Sequence, residues 1–270
     1  MTQRLQTRFE ELKQEKRAGL VTFITAGDPN PEISLEILNG LPEAGADIIE
    51  LGMPFSDPMA DGPAIQLSSQ RALKNGASLI NTLEMVDSFR KTDDQTPIIL
   101  MGYFNPIYRY GSQKFLNDAM SIGVDGLIIV DLPPEEDDEL CHACLTTGLN
   151  WIRLTTPTSD SNRLPRILKN SSGFVYHVAI TGITGTRSAK IEELEAAVKR
   201  IRTQTSLPIA VGFGIKSPTQ IKDIGHFADA VVVGSALVNT VKSALEENLT
   251  KQEIVKKIHE FVTELASGLR

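Results

Sequence analysis

The sequence predicts a single (β/α)8 TIM barrel, because strand-like apolar runs alternate with amphipathic helical segments along its whole length. Eight such runs follow one another at intervals of roughly 20 to 40 residues, and strict alternation favours a parallel sheet with right-handed crossovers. No linker, low-complexity tract or shift in composition separates one part of the chain from another. We therefore expect residues 1–270 to form one α/β domain.

An extra helix is expected ahead of the first strand. Residues 2–16 place Leu5, Phe9 and Leu12 at helical spacing among charged side chains, the pattern of an amphipathic helix. This helix is additional to the eight β/α units.

The strand-like runs are rich in apolar and β-branched residues, and turn residues such as glycine, proline or aspartate bound most of them. The eight predicted strands are 19–26, 46–51, 96–101, 126–130, 150–155, 173–178, 208–211 and 228–233. Arg153 is unusual among the apolar neighbours of the fifth strand.

Helical segments fill the intervals between the strands. The predicted helical stretches are 31–44, 65–90, 112–122, 191–203, one opening at 217–218, a short helix after 234–235 and an amphipathic C-terminal helix. The acidic run 135–139 is typical of a helix start, because carboxylates interact favourably with the positive end of the helix dipole. Cys141 and Cys144 follow it in an apparent helix. Two cysteines do not complete a structural zinc site, so we expect reduced thiols that are exposed or half-buried.

Two carboxylates in residues 46–63 are the candidate catalytic groups. Glu50 shares a strand face with Ile48, and burying a carboxylate among isoleucines is costly unless it is used or paired. Asp61 lies in an Asp-Gly-Pro turn on the following loop. One carboxylate on a strand and one on a loop suit proton transfer around a small substrate, with a raised pKa at Glu50 and an ionised Asp61. A satisfied buried glutamate and an ordinary turn are the alternative.

Glycines after the last two strands predict a phosphate site. The pattern is Gly-Phe-Gly at 212–214 and Gly234-Ser235, and the helix that begins at Ser235 directs its positive end inward. A third glycine turn, 182–185, follows the sixth strand and is a candidate for completing the site. Ordinary turns are the alternative reading.

Aromatic residues near strand ends are candidates for the walls of the pocket. Phe23, Tyr103 and Phe213 either line it or belong to the core. The hydroxyl of Tyr176 either reaches the pocket or bonds to the backbone. The histidines show no catalytic-triad pattern and no metal-ligand spacing, so we expect no metal.

Charge and hydropathy argue against nucleic acid and membrane as partners. The formal net charge of −7 comes without a basic stripe, which argues against nucleic acid. No apolar run reaches the length that spans a bilayer, and residues 1–6 lack the apolar stretch of a signal peptide. We expect a cytoplasmic protein.

Six segments give the chain a resemblance to the alpha subunits of tryptophan synthase over essentially its whole length. They are FITAGDP at 23–29, ELGMPFSDPMADGP at 50–63, MGYFNP at 101–106, GITG at 182–185, GFGI at 212–215 and GSA at 234–236. The resemblance implies a barrel that cleaves indole-3-glycerol phosphate to indole and glyceraldehyde 3-phosphate. It also implies an α2β2 heterotetramer in which a pyridoxal-phosphate beta subunit receives the indole, while this chain carries no cofactor.

The resemblance also assigns roles to individual residues. It implies that Glu50 and Asp61 are catalytic. The residues it places along the substrate are Tyr176, Gly185, Gly214, Gly234 and Ser235. We add Phe23, Tyr103 and Phe213 as pocket walls, Thr184 as a donor to Asp61, and Asp57 on the loop that faces the partner. A stand-alone lyase and a non-catalytic activator of a beta subunit are the alternatives, and retention of both carboxylates argues against the second.

Overall fold

Parallel strands form the barrel that the sequence predicts. The computed structural model describes residues 3–179, 191–212 and 214–270. Within those ranges the strands are β1 Gly19–Thr25, β2 Ile48–Gly52, β3 Ile98–Gly102, β4 Gly126–Ile129, β5 Asn150–Trp151, β6 Arg153–Thr155, β7 Val175–Val178, β8 Ile209–Gly212 and β9 Ala230–Val233. They pair in parallel in the order β5-β4-β3-β2-β1-β9-β8-β7-β6.

The barrel closes through one segment that serves two neighbours. The predicted strand 150–155 is interrupted at Ile152, so that β5 pairs with β4 and β6 pairs with β7. The Ile152 N–H still donates to the Leu127 carbonyl at 2.9 Å, which keeps the interruption attached to β4. Eight strand positions therefore account for the nine strand segments, and the (β/α)8 prediction is confirmed.

Helices surround the barrel. In the described residues they are α1 Gln3–Glu15, α2 Pro31–Ala44, α3 Pro63–Lys74, α4 Leu79–Arg90, α5 Phe104–Tyr110, α6 Ser112–Ser121, α7 Cys141–Thr147, α8 Leu164–Leu168, α9 Ile191–Arg202, α10 Pro218–Gly225, α11 Ser235–Glu246 and α12 Lys251–Ala266, with 3-10 turns at Pro134–Glu136 and Ser267–Leu269. Three details differ from the prediction. Helix α8 is not among the predicted helical stretches. Helix α5 follows β3 almost directly, and α11 is a full helix of 12 residues instead of a short one. None of the described helices is long and apolar enough to cross a membrane.

The alternation of side chains along the strands produces two cores. Val21, Ile48 and Ile99 belong to the cluster inside the barrel, whereas Ile49 and Leu51 pack in the layer between strands and helices. Glu50 therefore points inward, on the face that the sequence predicts it to share with Ile48.

The extra helix α1 packs against the barrel interior. Leu5 is buried in the interior cluster, and the Phe9 ring lies 5.8 Å from the ring of Phe174. Leu5 and Phe9 are among the apolar residues that the sequence predicts on one face of this helix.

Arg153, the unusual charged residue of the fifth predicted strand, is buried. Arg153 forms an ion pair with Asp137, donates to the Leu132 carbonyl at 2.7 Å and lies 5.1 Å from the Trp151 ring, so its charge is satisfied inside the fold.

The prediction of exposed or half-buried cysteines is wrong, because both thiols are buried. Helix α7 turns Cys141 and Cys144 into the outer core, and burial raises the pKa of the Cys141 thiol to about 12.

Candidate active site

The strands deliver their C-terminal ends to one cavity, where most of the predicted site residues meet. Those that line it are Phe23, Glu50, Asp61, Tyr176, Gly214, Gly234 and Ser235. The side chains of Ile65, Met101 and Val232 line it as well, and the sequence analysis did not select them. Alternation supplies a signal for the two strand residues: Met101 follows inward-facing Ile99 by two positions, and Val232 follows Ala230.

Glu50 lies deep in this cavity near the end of β2, paired in register with Phe23 of β1. Its side chain is 1% exposed, and within the described residues its Oε1 atom has no hydrogen-bond partner. Burial raises the pKa of Glu50 to about 8, because the surroundings offer no compensation for the charged form. Glu50 therefore retains its proton at neutral pH and can donate it.

Asp61 lies on the loop between β2 and α3 and is held by Tyr103. The Tyr103 hydroxyl donates to Asp61 Oδ2 at 3.1 Å and accepts the Ala60 N–H at 3.0 Å. Burial raises the pKa of Asp61 to about 6, and the hydrogen bond from Tyr103 opposes that rise. Asp61 is therefore predominantly ionised at pH 7, but its pKa of about 6 is closer to 7 than the pKa of an aspartate on a solvated loop.

Tyr103 is not among the described residues that line the main cavity, although the sequence makes it a candidate wall residue. It lines a smaller cavity adjoining the main one and stacks against Phe55, with ring centroids 5.3 Å apart. The structure gives it contact with the loop that carries Asp61. Nothing in the local pattern around Tyr103 signals this contact, since the two residues are 42 positions apart.

Tyr176 is at the cavity rather than turned toward the backbone. Its ring packs over Gly212, where an added Cβ would lie 2.5 Å from the hydroxyl oxygen. Burial raises the pKa of Tyr176 well above its ordinary value, and the nearby Glu50 and Asp61 carboxylates raise it further. The hydroxyl therefore keeps its proton beside the two carboxylates.

Other residues in the cavity lining form features of an anion site. Gly234 is the N-cap of α11 and Ser235 is its first residue, so the unpaired N–H groups of the first turn lie next to the cavity. Gly214 adopts φ +68°, a left-handed conformation that glycine accepts without strain. The arrangement is suited to holding a phosphate group.

The loop after β2 also reaches the surface at this end of the barrel. Asp57 is exposed and accepts a hydrogen bond from the neighbouring Ser56 hydroxyl at 2.5 Å, and the Met59 side chain is 80% exposed. The predicted site residues Thr184, Gly185 and Phe213 lie outside the described residues.

The described histidines and acidic groups do not assemble a metal site. His177 is on β7 beside Tyr176, is buried, and lies 3.1 Å from the Thr155 hydroxyl through Nδ1. Across the described ranges no group of three His, Cys, Asp or Glu residues is placed to hold a metal ion.

A buried carboxylate near the C-terminal end of a barrel strand and a second one on the loop after that strand share a cavity with a helix N-terminus. This arrangement defines the class: a (β/α)8-barrel enzyme. A family model described as tryptophan synthase alpha chain matches residues 9–269. The chain therefore belongs to the tryptophan synthase alpha chain family.

Solved structures agree with this assignment. Tryptophan synthase subunit alpha from Legionella pneumophila strain Paris is 39% identical, with 99% of this chain and 98% of that chain covered and a TM-score of 0.91. A structure from Aquifex aeolicus is 37% identical over 100% of both chains, with a TM-score of 0.89. A tryptophan synthase structure from Mycobacterium tuberculosis, in an aminoacrylate-bound form, is 32% identical over 100% of both chains, with a TM-score of 0.87.

Proposed function

We propose that this chain cleaves indole-3-glycerol phosphate to indole and glyceraldehyde 3-phosphate by a retro-aldol reaction. The observation that carries the proposal is the convergence of Glu50 and Asp61 on one cavity that the N-terminus of α11 also lines. The carboxylates suit the reacting indole, and the helix N-terminus suits the phosphate. Membership of the family supports the same reaction.

Glu50 is the proton donor in this proposal. It starts protonated at neutral pH, because burial raises its pKa to about 8, and gives its proton to indole C3. The resulting Glu50 carboxylate takes the proton of the side-chain hydroxyl while the carbon–carbon bond breaks and the aldehyde forms. One proton enters at C3 and one leaves the hydroxyl, so Glu50 ends the cycle protonated.

Asp61 stabilises the charge that develops on the indole. Protonation at C3 places positive charge on the ring nitrogen, and an ionised carboxylate that accepts the N–H lowers the energy of that state. The hydrogen bond from Tyr103 helps Asp61 stay ionised, since it stabilises the charged form.

The proposed partner is a tryptophan synthase beta subunit in an α2β2 assembly, with pyridoxal phosphate only on the beta subunit. The family match supports a beta-subunit partner, and the exposed loop with Asp57 and Met59 extends from the site to the surface where a partner can dock. We expect the assembly in the cytoplasm, where amino-acid biosynthesis takes place. The family match favours this partnership over a stand-alone lyase or a non-catalytic activator.

The test is indole release from indole-3-glycerol phosphate, measured with and without a beta subunit. We expect activity from the chain alone and a faster rate with the partner. Glu50→Gln is expected to lose several powers of ten in rate, because the variant has no proton to donate. Glu139→Gln makes the same change at an exposed position and is the matched control. Turnover of Glu50→Gln within tenfold of wild type would remove Glu50 from this role.

A further inference from the structure

A second, smaller cavity adjoins the candidate active site. It shares the lining residues Phe23, Asp61, Ile65 and Met101 with the main cavity. Its volume of about 10 Å³ is near the lower limit for a cavity that holds one water molecule. A water molecule is retained in such a space only if polar groups surround it, so its polar lining is decisive.

One polar group in this lining has no partner. Thr25 is the last residue of β1 and lies on the inward face with Val21 and Phe23. The side chain is 2% exposed, and the Oγ1 atom has no hydrogen bond to any described residue. A buried hydroxyl without a partner is costly, which points to a hydrogen-bonding molecule in the cavity that Thr25 faces.

The remaining polar lining belongs to Ser69, Asp61 and Tyr103. Ser69 is on α3 and is buried, and the Tyr103 hydroxyl already bonds to both Ala60 and Asp61. A carboxylate accepts several hydrogen bonds, so Asp61 has capacity for a donor besides Tyr103. A water between Thr25 and Asp61 would satisfy the threonine and supply that second donor.

We propose that Thr25 is a positioning residue for Asp61, acting through one water molecule that its hydroxyl holds in the smaller cavity. The water donates to the Asp61 carboxylate, while the Tyr103 hydroxyl donates to it from the residue that follows β3. Two donors fix the carboxylate and favour its ionised form, the form that accepts the indole N–H in the proposed reaction, on which this inference rests.

Three other titratable groups face Asp61 from the elements that the structure describes. They are Tyr103 after β3, Glu50 on β2 and Tyr176 on β7. The two tyrosines stay protonated in the pH range of interest, and Glu50 titrates near pH 8, above the range of Asp61. The acid limb of a pH profile therefore reports on Asp61, and the alkaline limb reports on Glu50.

The same strand supplies a matched control. Thr22 is also buried with an unpartnered Oγ1 atom, but it lies on the opposite face of β1, with Leu20 and Ile24 of the outer core. Thr→Val at either position keeps the shape of the side chain. Thr22→Val removes a hydroxyl that has no partner among the described residues, and Thr25→Val removes a hydroxyl together with the water that satisfies it, so neither change is expected to lower stability strongly. Thr25→Ser keeps the hydroxyl and serves as the rescue variant.

The experiment is an NMR titration of the Asp61 carboxyl carbon in the full chain, combined with the pH profile of indole release. We expect Thr25→Val to raise the pKa of Asp61 by about 0.5 to 1 pH unit and to move only the acid limb upward. Thr25→Ser and Thr22→Val are expected to match wild type. A high-resolution crystal structure is expected to show a water between Thr25 and Asp61 that is lost in Thr25→Val.

An unchanged Asp61 titration in Thr25→Val, or an equal shift in Thr22→Val, would overturn the inference. So would a cavity that contains no water in wild type. These results are separable from failure of the proposed function: a wild-type chain that releases no indole refutes the reaction, while the NMR titration and the crystal structure still decide the role of Thr25.

Discussion

Replacing Glu50 by glutamine is expected to stabilise the protein by an amount that grows with pH. Burial raises the pKa of Glu50 from the ordinary 4.5 to about 8, so the folded protein holds a proton that the unfolded chain releases at lower pH. Between these two values each pH unit favours the unfolded chain by up to about 1.4 kcal/mol. Stability due to this group is therefore present below pH 4.5 and is lost as the pH rises toward 8.

The size of the effect follows from that interval. At pH 7 the wild-type protein has lost on the order of 3 kcal/mol relative to acid conditions, whereas glutamine does not titrate. Burying the glutamine amide also changes the free energy of unfolding, but by an amount that does not vary with pH because the amide does not titrate. Oε1 of Glu50 has no hydrogen-bond partner among the described residues, so the substitution breaks no hydrogen bond at that atom. The slope of the stability difference against pH is therefore the diagnostic quantity, independent of its intercept.

The assay is chemical denaturation of wild type and Glu50→Gln at several pH values between 4.5 and 8, with Glu139→Gln as the exposed control. The difference between Glu50→Gln and wild type is expected to widen steadily across this interval. A difference that stays constant, or one that shrinks with rising pH, would show that Glu50 is not held protonated by burial.

Three further predictions concern the substrate site and its control by a partner. Gly234→Asp is expected to raise the KM for the substrate strongly, because it places a carboxylate at the N-terminus of α11, where the phosphate would bind. Gly234→Asn adds a side chain of similar size without the charge and is the control. Equal KM values for the two variants would count against a phosphate at this position. Gly212→Ala is expected to lower kcat/KM on the order of 10²-fold, since the new methyl group would lie 2.5 Å from the Tyr176 hydroxyl; steady-state kinetics with an unaltered kcat/KM would contradict this. Thr184→Val is expected to lose much of the rate gain caused by a beta subunit, with binding of glycerol-phosphate analogues nearly unchanged. The rate of indole formation with a beta subunit, divided by the rate without it, measures this gain. If Thr184→Val has the same ratio as wild type, Thr184 does not take part in activating Asp61.

The sequence by itself determined the barrel, the end at which the site forms and the direction of Glu50. These features depend on local regularities: the strand period of two residues and the alternation of strands with helices. Because all strands of such a barrel run in parallel, residues that follow separate strands meet at one end. Glu50, Gly214 and Gly234 could therefore be assigned to one cavity before any contact between them was known.

Only the tertiary structure decided how the barrel closes and which groups surround Asp61. The segment 150–155 divides its pairing between β4 and β7, because closure must satisfy the backbone groups of two different neighbours. The Tyr103 hydrogen bond to Asp61 and the exposure of Thr25 to the same small cavity bring together residues from separate β/α units. Such contacts depend on the angle and distance at which neighbouring β/α units pack against each other. The local hydrophobic pattern that specifies each unit does not determine this packing geometry.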